Sequence, residues 1–423
     1  MSIAPLRVGI IGMGGFAGVH QQALLKLEAL RQSRLVCTCD PRADAFAEQQ
    51  AQWNFAGRGV RVFTDYREML DACGHELDML VVPTPITLHA EMHRAGVERG
   101  IPVYLEKPPT LDPDELEAMI ECDAQAGKAT LVSFNFIIEK PRQSLKARLL
   151  AGEFGRLHEA RLHVRWPRAT SYFTRNNWAG RLQGEDGRLI LDSCMGNAMA
   201  HFVHNLLYWA GTDGQMDWAE LQQVRAELYR AHRIEGADTF LVQAATAGGV
   251  AMRLALTHAC TDDTCQIEEL HCATAVIRYV VGSHYEIRHA DGTVEREQLP
   301  PFDSVVDNHL AHYRYLRGET DRPATRLVDS RPFVHLNNLA YVSAGAITTF
   351  PAERTSLVRN PRDNADYHEV AGLAGALTDF LEKGVWPAAT LFGRAASSRL
   401  ATPADVAATR ETVGRMTAAG TSA

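Results

Sequence analysis

Lys107 and His201 are the residues of this chain best suited to acid–base chemistry. Lys107 lies in Glu106-Lys107-Pro108, directly after a short apolar run, and His201 lies in the strongly apolar segment 197–210, which predicts a largely buried helix. A lysine beside a fixed positive charge has a depressed pKa, and histidine titrates near neutrality, so either group could move a proton at neutral pH. The alternatives are a surface ion pair for Lys107 and a satisfied core histidine for His201.

A glycine-rich turn near the N-terminus predicts a dinucleotide site. An apolar strand over residues 7–12 opens into the turn, and a helix follows. Gly12 permits the tight turn, Gly14 lets the backbone approach a pyrophosphate, and the small Ala17 lets helix and strand pack closely. The phosphates would face the N-terminus of the helix. A tight strand–helix turn without a ligand is the alternative. The residues predicted to contact the cofactor here are Gly12, Met13, Gly14, Gly15, Phe16 and Ala17.

Asp40 is the predicted ribose-binding acid. It ends the second predicted strand, 34–40, where a carboxylate accepts hydrogen bonds from the hydroxyls of an adenosine ribose. A carboxylate would repel a 2′-phosphate, which favours NAD over NADP, although Arg42 stands close by. Asp40-Pro41 could instead simply end the strand.

A second loop is predicted to lie at the same edge of the sheet. Thr84, Pro85 and His89 follow the fourth predicted strand and start a helix over 89–100. Ligands of doubly wound folds bind at the carboxyl ends of the strands, so these three residues are predicted to contact the cofactor. His89 and His93 superficially suggest a zinc helix, but the glutamate of that motif would have to follow His89 directly, and it does not.

Taken together, the glycine turn, Asp40, Thr84-Pro85-x-x-x-His89 and Glu106-Lys107-Pro108 resemble the glucose–fructose oxidoreductase / inositol dehydrogenase / MocA family. The resemblance covers the N-terminal part of the chain over its whole length, and the C-terminal half mainly over 152–211. It implies that Lys107 lies beside the nicotinamide and the substrate hydroxyl, with Glu106 near the nicotinamide ribose.

The second signature of that family is Asp-x-x-x-His, with the histidine ten residues before a glycine. His201 has this spacing to Gly211, so it aligns with the catalytic histidine, but Asn197 stands where the family usually has aspartate. An amide can orient the ring without stabilising its protonated form. Lys107, His201 and Asn197 are therefore the predicted catalytic residues. A polar stripe on the helix, which faces either internal hydrogen-bond partners or a cavity, consists of Asn197, His201, Asn205 and Tyr208, with His204 at its margin.

The segment 171–181 is rich in aromatic and hydrogen-bonding side chains, the combination that recognises a polyhydroxylated ring. An ordinary loop or a subunit contact is the alternative. The residues predicted to bind substrate are Tyr172, Arg175, Asn176, Trp178, Asp192 and His204.

The elements that position these residues predict an α/β protein, with an N-terminal Rossmann-type parallel sheet and a C-terminal α+β domain with a large, mainly antiparallel sheet. Short apolar strands alternate with helices over 1–138, which predicts a parallel sheet covered on both faces. The predicted strands here include 77–82 and 130–136. From 139 to 423 the strands are longer, and the predicted helices include 332–348.

Composition narrows the classes of function. The chain has 423 residues, a net charge of −8 and 22% charged residues. This mild acidity argues against nucleic-acid and anionic membrane surfaces, and no apolar run is long enough to predict a membrane span. An N-terminus that runs directly into a strand and eight scattered cysteines favour a cytoplasmic protein with reduced thiols. No metal site is predicted, because one group of potential ligands does not have the spacing of a known zinc-binding motif: Cys260, Asp262, Asp263, Cys265, His271 and Cys272.

These observations predict an NAD-dependent dehydrogenase that oxidises a secondary hydroxyl of a sugar, cyclitol or glycoside. Two alternatives stay open, namely an enzyme that uses bound NAD transiently to cleave a glycoside, and a non-catalytic regulator that senses NAD or a sugar. The family resemblance also implies a homo-oligomer, because a partner subunit commonly covers the C-terminal sheet in relatives.

Overall fold

The computed structural model describes residues 4–261, 264–392 and 397–420, which form two compact units. The first unit contains the described residues up to Thr110, together with Asp114–Glu139 and Phe302–Ser330. The second contains Leu111–Pro113, Lys140–Pro301 and the described residues from Arg331 onward. No helix of the described chain is long and apolar enough to cross a membrane.

A parallel sheet forms the centre of the first unit, with strand order β3-β2-β1-β4-β5-β6. Its strands are β1 (Leu6–Ile11), β2 (Ser33–Cys39), β3 (Arg61–Phe63), β4 (Met79–Val82), β5 (Val103–Leu105) and β6 (Leu131–Val132). The helices between them are α1 (Phe16–Ala29), α2 (Ala47–Gln52), α3 (Phe55–Arg58), α4 (Tyr66–Cys73), α5 (His89–Glu98) and α6 (Pro113–Asp123). This order confirms the predicted Rossmann-type sheet, and the strand order reverses between β1 and β4, where such folds bind dinucleotides.

The last strand of this sheet is shorter than the predicted 130–136. β6 ends at Val132, and the backbone turns tightly over Asn135–Ile138. Ser133 donates a hydrogen bond to the Asn135 side chain at 2.6 Å, which supports the turn. Short polar side chains that bond locally compete with strand pairing, and here they end the strand.

A mixed, mainly antiparallel sheet dominates the second unit and confirms the predicted α+β architecture. In the described chain its order is β14-β13-β12-β11-β7-β10-β9-β8-β15, and only the pairs β7–β10 and β8–β15 are parallel. The strands before residue 302 are β7 (Leu157–Arg165), β8 (Leu221–Arg230), β9 (Thr239–Thr246), β10 (Ala251–Thr257), β11 (Cys265–Cys272), β12 (Ala275–Val280), β13 (His284–His289) and β14 (Val294–Gln298). Helices α7 (Lys140–Leu150) and α8 (Ala200–Ala210) accompany them.

The chain then returns to the first unit, which the predicted division at 138/139 missed. Helix α9 (Ser304–Leu316) places Val305, Val306 and Tyr313 in the same apolar core as β1 and α1. The Tyr313 hydroxyl also donates a hydrogen bond to Ser33 at 2.9 Å. An amphipathic helix shows that it has a buried face, but not which sheet it packs on, so this return could not be predicted from periodicity.

The remaining elements belong to the second unit. They are α10 (Arg331–Ala344), β15 (Ile347–Thr349), β16 (Thr355–Asn360), β17 (Ala365–Val370), α11 (Leu373–Lys383), α12 (Pro387–Phe392) and α13 (Thr409–Gly420). The predicted helix 332–348 ends early because Gly345 adopts a left-handed conformation with φ 64°.

Both faces of the central strands of the large sheet are covered by helices of this chain. Phe240 of β9 packs against Tyr341 of α10, with ring centroids 5.6 Å apart. The next residue, Leu241, points to the opposite face and joins Leu377 and Phe380 of α11 in a second apolar cluster. Helices of this chain therefore cover both faces of β9.

Candidate active site

The glycine turn stands at the point where the strand order of the first sheet reverses. Gly12 directly follows β1 with φ 103°, and its N–H donates to the Cys39 carbonyl at 2.6 Å. Gly15, with φ 56°, precedes α1, and no side chain caps the start of that helix. Both backbone conformations strongly favour glycine, and an uncapped helix N-terminus is suited to a phosphate. The turn therefore fits the pyrophosphate of a dinucleotide.

The side chains of the turn divide into buried and exposed ones. Met13 and Ala17 are buried in the core of the first unit, whereas Phe16 is 43% exposed. Met13 and Ala17 could therefore reach a cofactor only through their backbone. A Cβ atom on Gly14 would lie 3.0 Å from the Phe46 ring, so the fold as well as the predicted pyrophosphate restricts this position.

Asp40 follows β2 and is tied to the glycine turn. One carboxylate oxygen accepts the Met13 N–H at 3.1 Å, and the other accepts the Arg42 N–H at 2.9 Å. The Asp40 side chain is half-buried, and each oxygen keeps a second lone pair for a ribose hydroxyl. Arg42 contributes its backbone to this contact, so the position is locally acidic, as predicted for NAD.

His89 has a structural role that differs from the predicted contact of its side chain with the cofactor. Its Nε2 faces the Thr84 carbonyl at 2.8 Å, and its Nδ1 faces the Pro108 and Pro109 carbonyls at 3.0 and 3.2 Å. The ring is buried, and burial lowers its pKa despite these carbonyl contacts. His89 therefore holds the Thr84-Pro85 loop against the segment after Lys107, and any contact with the cofactor falls to the loop itself.

Glu106 is buried at the end of β5 in a chain of hydrogen bonds that the sequence analysis missed. Its Oε1 lies 2.9 Å from His20 Nε2, and His20 Nδ1 lies 2.9 Å from His309 Nε2. Tyr104 stacks on His309 with ring centroids 4.5 Å apart. A carboxylate only accepts hydrogen bonds, so His20 Nε2 carries the proton and, in the neutral ring, Nδ1 accepts from His309. The neighbouring Lys107 is half-buried.

The surroundings of Glu106 keep it ionised. Burial alone would raise its pKa, but the hydrogen bond from His20 and the charge of Lys107 hold the pKa below its usual value. The pKa of His309 is well below its usual value because the ring is buried and close to His20 and His312. A negative carboxylate thus lies next to Lys107 in sequence. The one sequence signal for this cluster is the spacing of His309 and His312, which places them on one face of α9.

In the second unit, His201 lies in the first turn of α8. The preceding segment, Cys194–Ala198, forms a π-helical turn in which the Met199 N–H donates to the Cys194 carbonyl at 2.8 Å. Such turns recur at functional sites because they alter the direction of the side chains that follow. Asn197 in this turn and His201 in the helix are both half-buried.

Asp192 connects the π-helical turn to the 171–181 segment. Its Oδ1 accepts a hydrogen bond from Asn197 Nδ2 at 2.7 Å, and its Oδ2 accepts the Gly180 N–H at 2.6 Å. Asp192 is only 2% exposed, so it positions other groups instead of binding substrate directly, which corrects the prediction. The amide at position 197 is thus hydrogen-bonded to a neighbouring carboxylate.

The predicted substrate-binding segment contains exposed and structural residues. The Arg175 guanidinium lies 3.5 Å from the centre of the Tyr172 ring and 5.4 Å from that of Trp178. Asn176 Oδ1 accepts the N–H groups of Trp178 and Ala179, at 3.2 and 2.8 Å, so this side chain shapes the turn. Tyr172, Arg175 and Trp178 remain candidates for contact with a ligand.

His204 does not belong to the site, contrary to the prediction. It is fully buried and accepts a hydrogen bond from the Trp218 indole at 3.3 Å. Farther along the polar stripe, Asn205 donates to the buried Glu268 at 2.9 Å, and Trp209 donates to the same carboxylate at 2.6 Å. This end of the stripe therefore faces internal partners, and only its beginning, at Asn197 and His201, is accessible.

The described residues of the cysteine-rich segment lie on and beside β11. Cys265 and Cys272 are the two ends of β11, and the described residues contain no group of three or more ligands that could hold a metal ion. Asp262 and Asp263, considered in the sequence analysis, lie outside the described residues.

Comparison with known proteins agrees with the geometry of the first unit. Residues 6–134 match the family model described as oxidoreductase family, NAD-binding Rossmann fold. Inositol 2-dehydrogenase 4 of Saccharopolyspora erythraea is 33% identical over 158 residues, which cover 37% of this chain and 44% of that protein. Glycosyl hydrolase family 109 protein 1 of Shewanella sp. strain ANA-3 is 25% identical over 170 residues, which cover 38% of this chain and 37% of that protein.

A solved structure extends the likeness to both units. The WlbA dehydrogenase from Bordetella pertussis, solved in complex with NADH and UDP-GlcNAcA, has a TM-score of 0.64 and 23% identity, and the match covers 80% of this chain and 96% of that chain. At this identity the likeness shows the fold alone. The chain spans less than half the length of the curated relatives it matches. The family resemblance is confirmed over residues 6–134, which match the NAD-binding Rossmann domain of the glucose–fructose oxidoreductase / inositol dehydrogenase / MocA oxidoreductases.

Proposed function

We propose that this protein is an NAD-dependent dehydrogenase that oxidises a secondary hydroxyl of a sugar, cyclitol or glycoside. The observation that carries the proposal is the position of Lys107, which directly follows β5 and the buried, ionised Glu106. Glu106 is hydrogen-bonded to His20 of α1, the helix that begins at the glycine turn. A similar dehydrogenase acts on inositol, by its name, which supports a polyhydroxylated substrate.

The cofactor site consists of the backbone of the glycine turn, Asp40 and the Thr84-Pro85 loop. NAD, when bound there, accepts the hydride from the substrate carbon. The hydrogen bonds from Met13 and Arg42 hold the Asp40 side chain in place, so that its carboxylate can accept hydrogen bonds from the ribose hydroxyls and repel a 2′-phosphate. This is the physical basis for preferring NAD over NADP.

Lys107 and His201 are the proposed catalytic residues. His201 removes the hydroxyl proton as hydride leaves the carbon, and Lys107 donates a hydrogen bond to the developing alkoxide. Asn197 orients the imidazole. Because its Nδ2 donates to Asp192, the amide cannot rotate without breaking a charge-assisted hydrogen bond.

The test is the formation of NADH, followed by its absorbance, on a panel of sugars and cyclitols. We expect His201→Ala to lower kcat by roughly 10²–10⁴, the usual contribution of a positioned general base. Lys107→Ala should also be severe, and the two losses should not add, because both groups act on one hydroxyl. His158→Ala, on an exposed position of β7, is the matched control and should retain full activity. Near-full turnover by His201→Ala would assign the base to another group.

A second candidate function rests on the similarity to a glycosyl hydrolase family 109 protein. An enzyme of that kind would use bound NAD transiently and release no net NADH. Cleavage of an aryl glycoside that depends on bound NAD, without accumulation of NADH, would favour this function. A non-catalytic sensor would give neither signal, and Lys107→Ala would leave its NAD binding unchanged.

Two properties of the whole protein belong to the same proposal. All eight cysteines are free thiols, which supports a reducing compartment such as the cytoplasm.

Any homo-oligomer formed through the large sheet would use strands β11–β14, because α11 covers the central strands. Light scattering coupled to size-exclusion chromatography measures the oligomer directly.

A further inference from the structure

We propose that the segment following β7 in the second unit binds the anionic group of a sugar derivative, either a carboxylate or a phosphate. This inference rests on the proposed function, because it names the class of substrate for the same site. It is carried by two arginines, Arg168 and Arg175, that share one aromatic ring and have no carboxylate partner in the described chain.

Arg168 is a half-buried cation held by aromatic faces. Its guanidinium lies 4.1 Å from the centre of the Trp166 ring and 4.9 Å from that of Tyr172. Its Nε is buried and has no hydrogen-bond partner among the residues that the structure describes. Burial lowers the pKa of this guanidinium, and the effects that oppose burial come from the Tyr172 and Tyr367 side chains and not from a carboxylate. Arg168 is therefore a partly desolvated guanidinium with one unpartnered donor, Nε, and no carboxylate partner in the described chain.

Arg175 brings a second positive charge to the same ring. Its guanidinium lies 3.5 Å from the centre of Tyr172 and donates one hydrogen bond to the Tyr172 carbonyl at 2.9 Å. The charge of Arg175 lowers the pKa of Arg168, which shows that the two guanidinium groups repel each other. A ring face offsets only part of the cost of desolvating a guanidinium. A bound anion would remove both the repulsion and the unfilled donors.

Several other partly or fully buried arginines of this chain are paired with carboxylates. Arg58 forms an ion pair with Glu28 at 2.7 Å, and Arg253 with Glu159 at 3.1 Å. The fully buried Arg142 pairs with Glu268. Buried cations in proteins are generally paired. Arg168 departs from this pattern at the place where the sequence analysis predicted substrate recognition.

The arginine pair is connected to the proposed catalytic helix within the same unit. The Trp166 ring, which carries Arg168, lies 6.1 Å from the ring of Phe202, the neighbour of His201. At the other end of the segment, Asp192 holds both Gly180 and Asn197. A ligand on the arginines would therefore contact a surface that is fixed relative to His201.

The chemistry of the surface indicates an anionic sugar. A guanidinium presents paired N–H donors that match the two oxygens of a carboxylate or phosphate. The half-buried Trp178 ring beside Arg175 can pack against the C–H face of a sugar ring. The shared chemistry does not distinguish a uronic acid from a sugar phosphate, so the experiment tests both.

Binding is measured by calorimetry on the NAD-loaded protein with D-glucuronate, D-glucose 6-phosphate and D-glucose as probes. We expect at least one anionic probe to bind about tenfold or more tightly than glucose, because hydrogen bonds to charged groups contribute about 10- to 100-fold. Arg168→Ala and Arg175→Ala should abolish this preference, whereas Arg168→Lys should keep part of it, since lysine retains the charge without the planar fork.

Arg188→Ala is the matched control, because Arg188 is an exposed arginine that pairs with Asp186 in the same unit. It should bind the probes like the wild type. NAD affinity and the urea midpoint of each variant verify that the fold is kept. The proposal is overturned if neither anion binds more tightly than glucose, or if Arg168→Ala keeps the preference.

The formation of NADH is recorded separately, so the two proposals can fail independently. Anion binding that depends on Arg168 but yields no NADH with any sugar supports the anion site and contradicts the dehydrogenase. Turnover of neutral sugars with a KM that Arg168→Ala leaves unchanged contradicts the anion site and supports the dehydrogenase. Preference between glucuronate and glucose 6-phosphate identifies which anion the site selects.

Discussion

Removing the His312 imidazole should make the protein more resistant to acid. His312 lies on α9, is 1% exposed, and neither ring nitrogen has a hydrogen-bond partner among the described residues. Its ring lies near the rings of Tyr104 and Tyr315, with distances of 6.0 and 5.8 Å between ring centroids. Burial lowers the pKa of His312 from 6.5 to about 3, and the charge of Lys128 acts in the same direction.

The magnitude follows from proton linkage. Between pH 6.5 and pH 3 the unfolded chain binds a proton at His312 and the folded chain does not, so stability falls as the pH is lowered through this range. Each pH unit costs about 1.4 kcal/mol, and at pH 5 the cost from this residue is about 2 kcal/mol. That is a large part of the 5–15 kcal/mol that roughly describes the stability of a typical domain.

The assay compares His312→Leu with the wild type by urea unfolding, followed by far-ultraviolet circular dichroism, at pH 7.5 and pH 5.0. We expect little change at pH 7.5, since leucine is of similar size and no hydrogen bond is lost. The drop in unfolding free energy between the two pH values should shrink by about 2 kcal/mol. His75→Gln, at a histidine whose side chain is 74% exposed, should behave like the wild type. An unchanged drop in His312→Leu would refute the burial of a neutral imidazole at this position.

Three further expectations concern the proposed active site. Wild-type protein should bind NAD at least about tenfold more tightly than NADP, a difference of about 1.4 kcal/mol, and Asp40→Ala should narrow that gap in calorimetry; equal wild-type affinities would remove the argument from charge. Gly14→Ala should weaken NAD binding while the fold is kept. If the pyrophosphate approaches the Gly14 backbone, adding Phe46→Ala to this variant should not restore NAD binding. Full restoration would mean that the clash with Phe46 alone restricts position 14. Asn197→Asp should lower kcat, because it places two carboxylates side by side at the present 2.7 Å contact. The double variant Asp192→Asn/Asn197→Asp should recover activity, with the pKa of His201 shifted upward in the pH–rate profile. Failure of the double variant would show that the carboxylate must be at position 192.

Local patterns predicted the parts of the site that lie within one strand–turn–helix unit. The glycine turn, Asp40 and Lys107 each follow a strand, and parallel strands bring their carboxyl ends to one edge whatever the rest of the chain does. The polar stripe on α8 was also predictable, because helix periodicity fixes which residues share a face. Which end of the stripe is buried was not predictable. Glu268 stands 63 residues from Asn205, and Trp218 packs against His204, so both were assigned only by packing.

The amino-acid sequence by itself determined the two sheet types, the dinucleotide turn and the identity of the proposed acid–base residues, because these depend on short-range periodicity and turn chemistry. The tertiary structure decided which residues surround them. His309 contacts His20 across 289 residues of sequence, and only the return of α9 to the first sheet brings it near Glu106. Asp192 likewise became a positioning residue through hydrogen bonds to Gly180 and Asn197. Contacts between distant segments arise from the complementary shapes of packed surfaces, which residue spacing along the chain does not encode in a readable form.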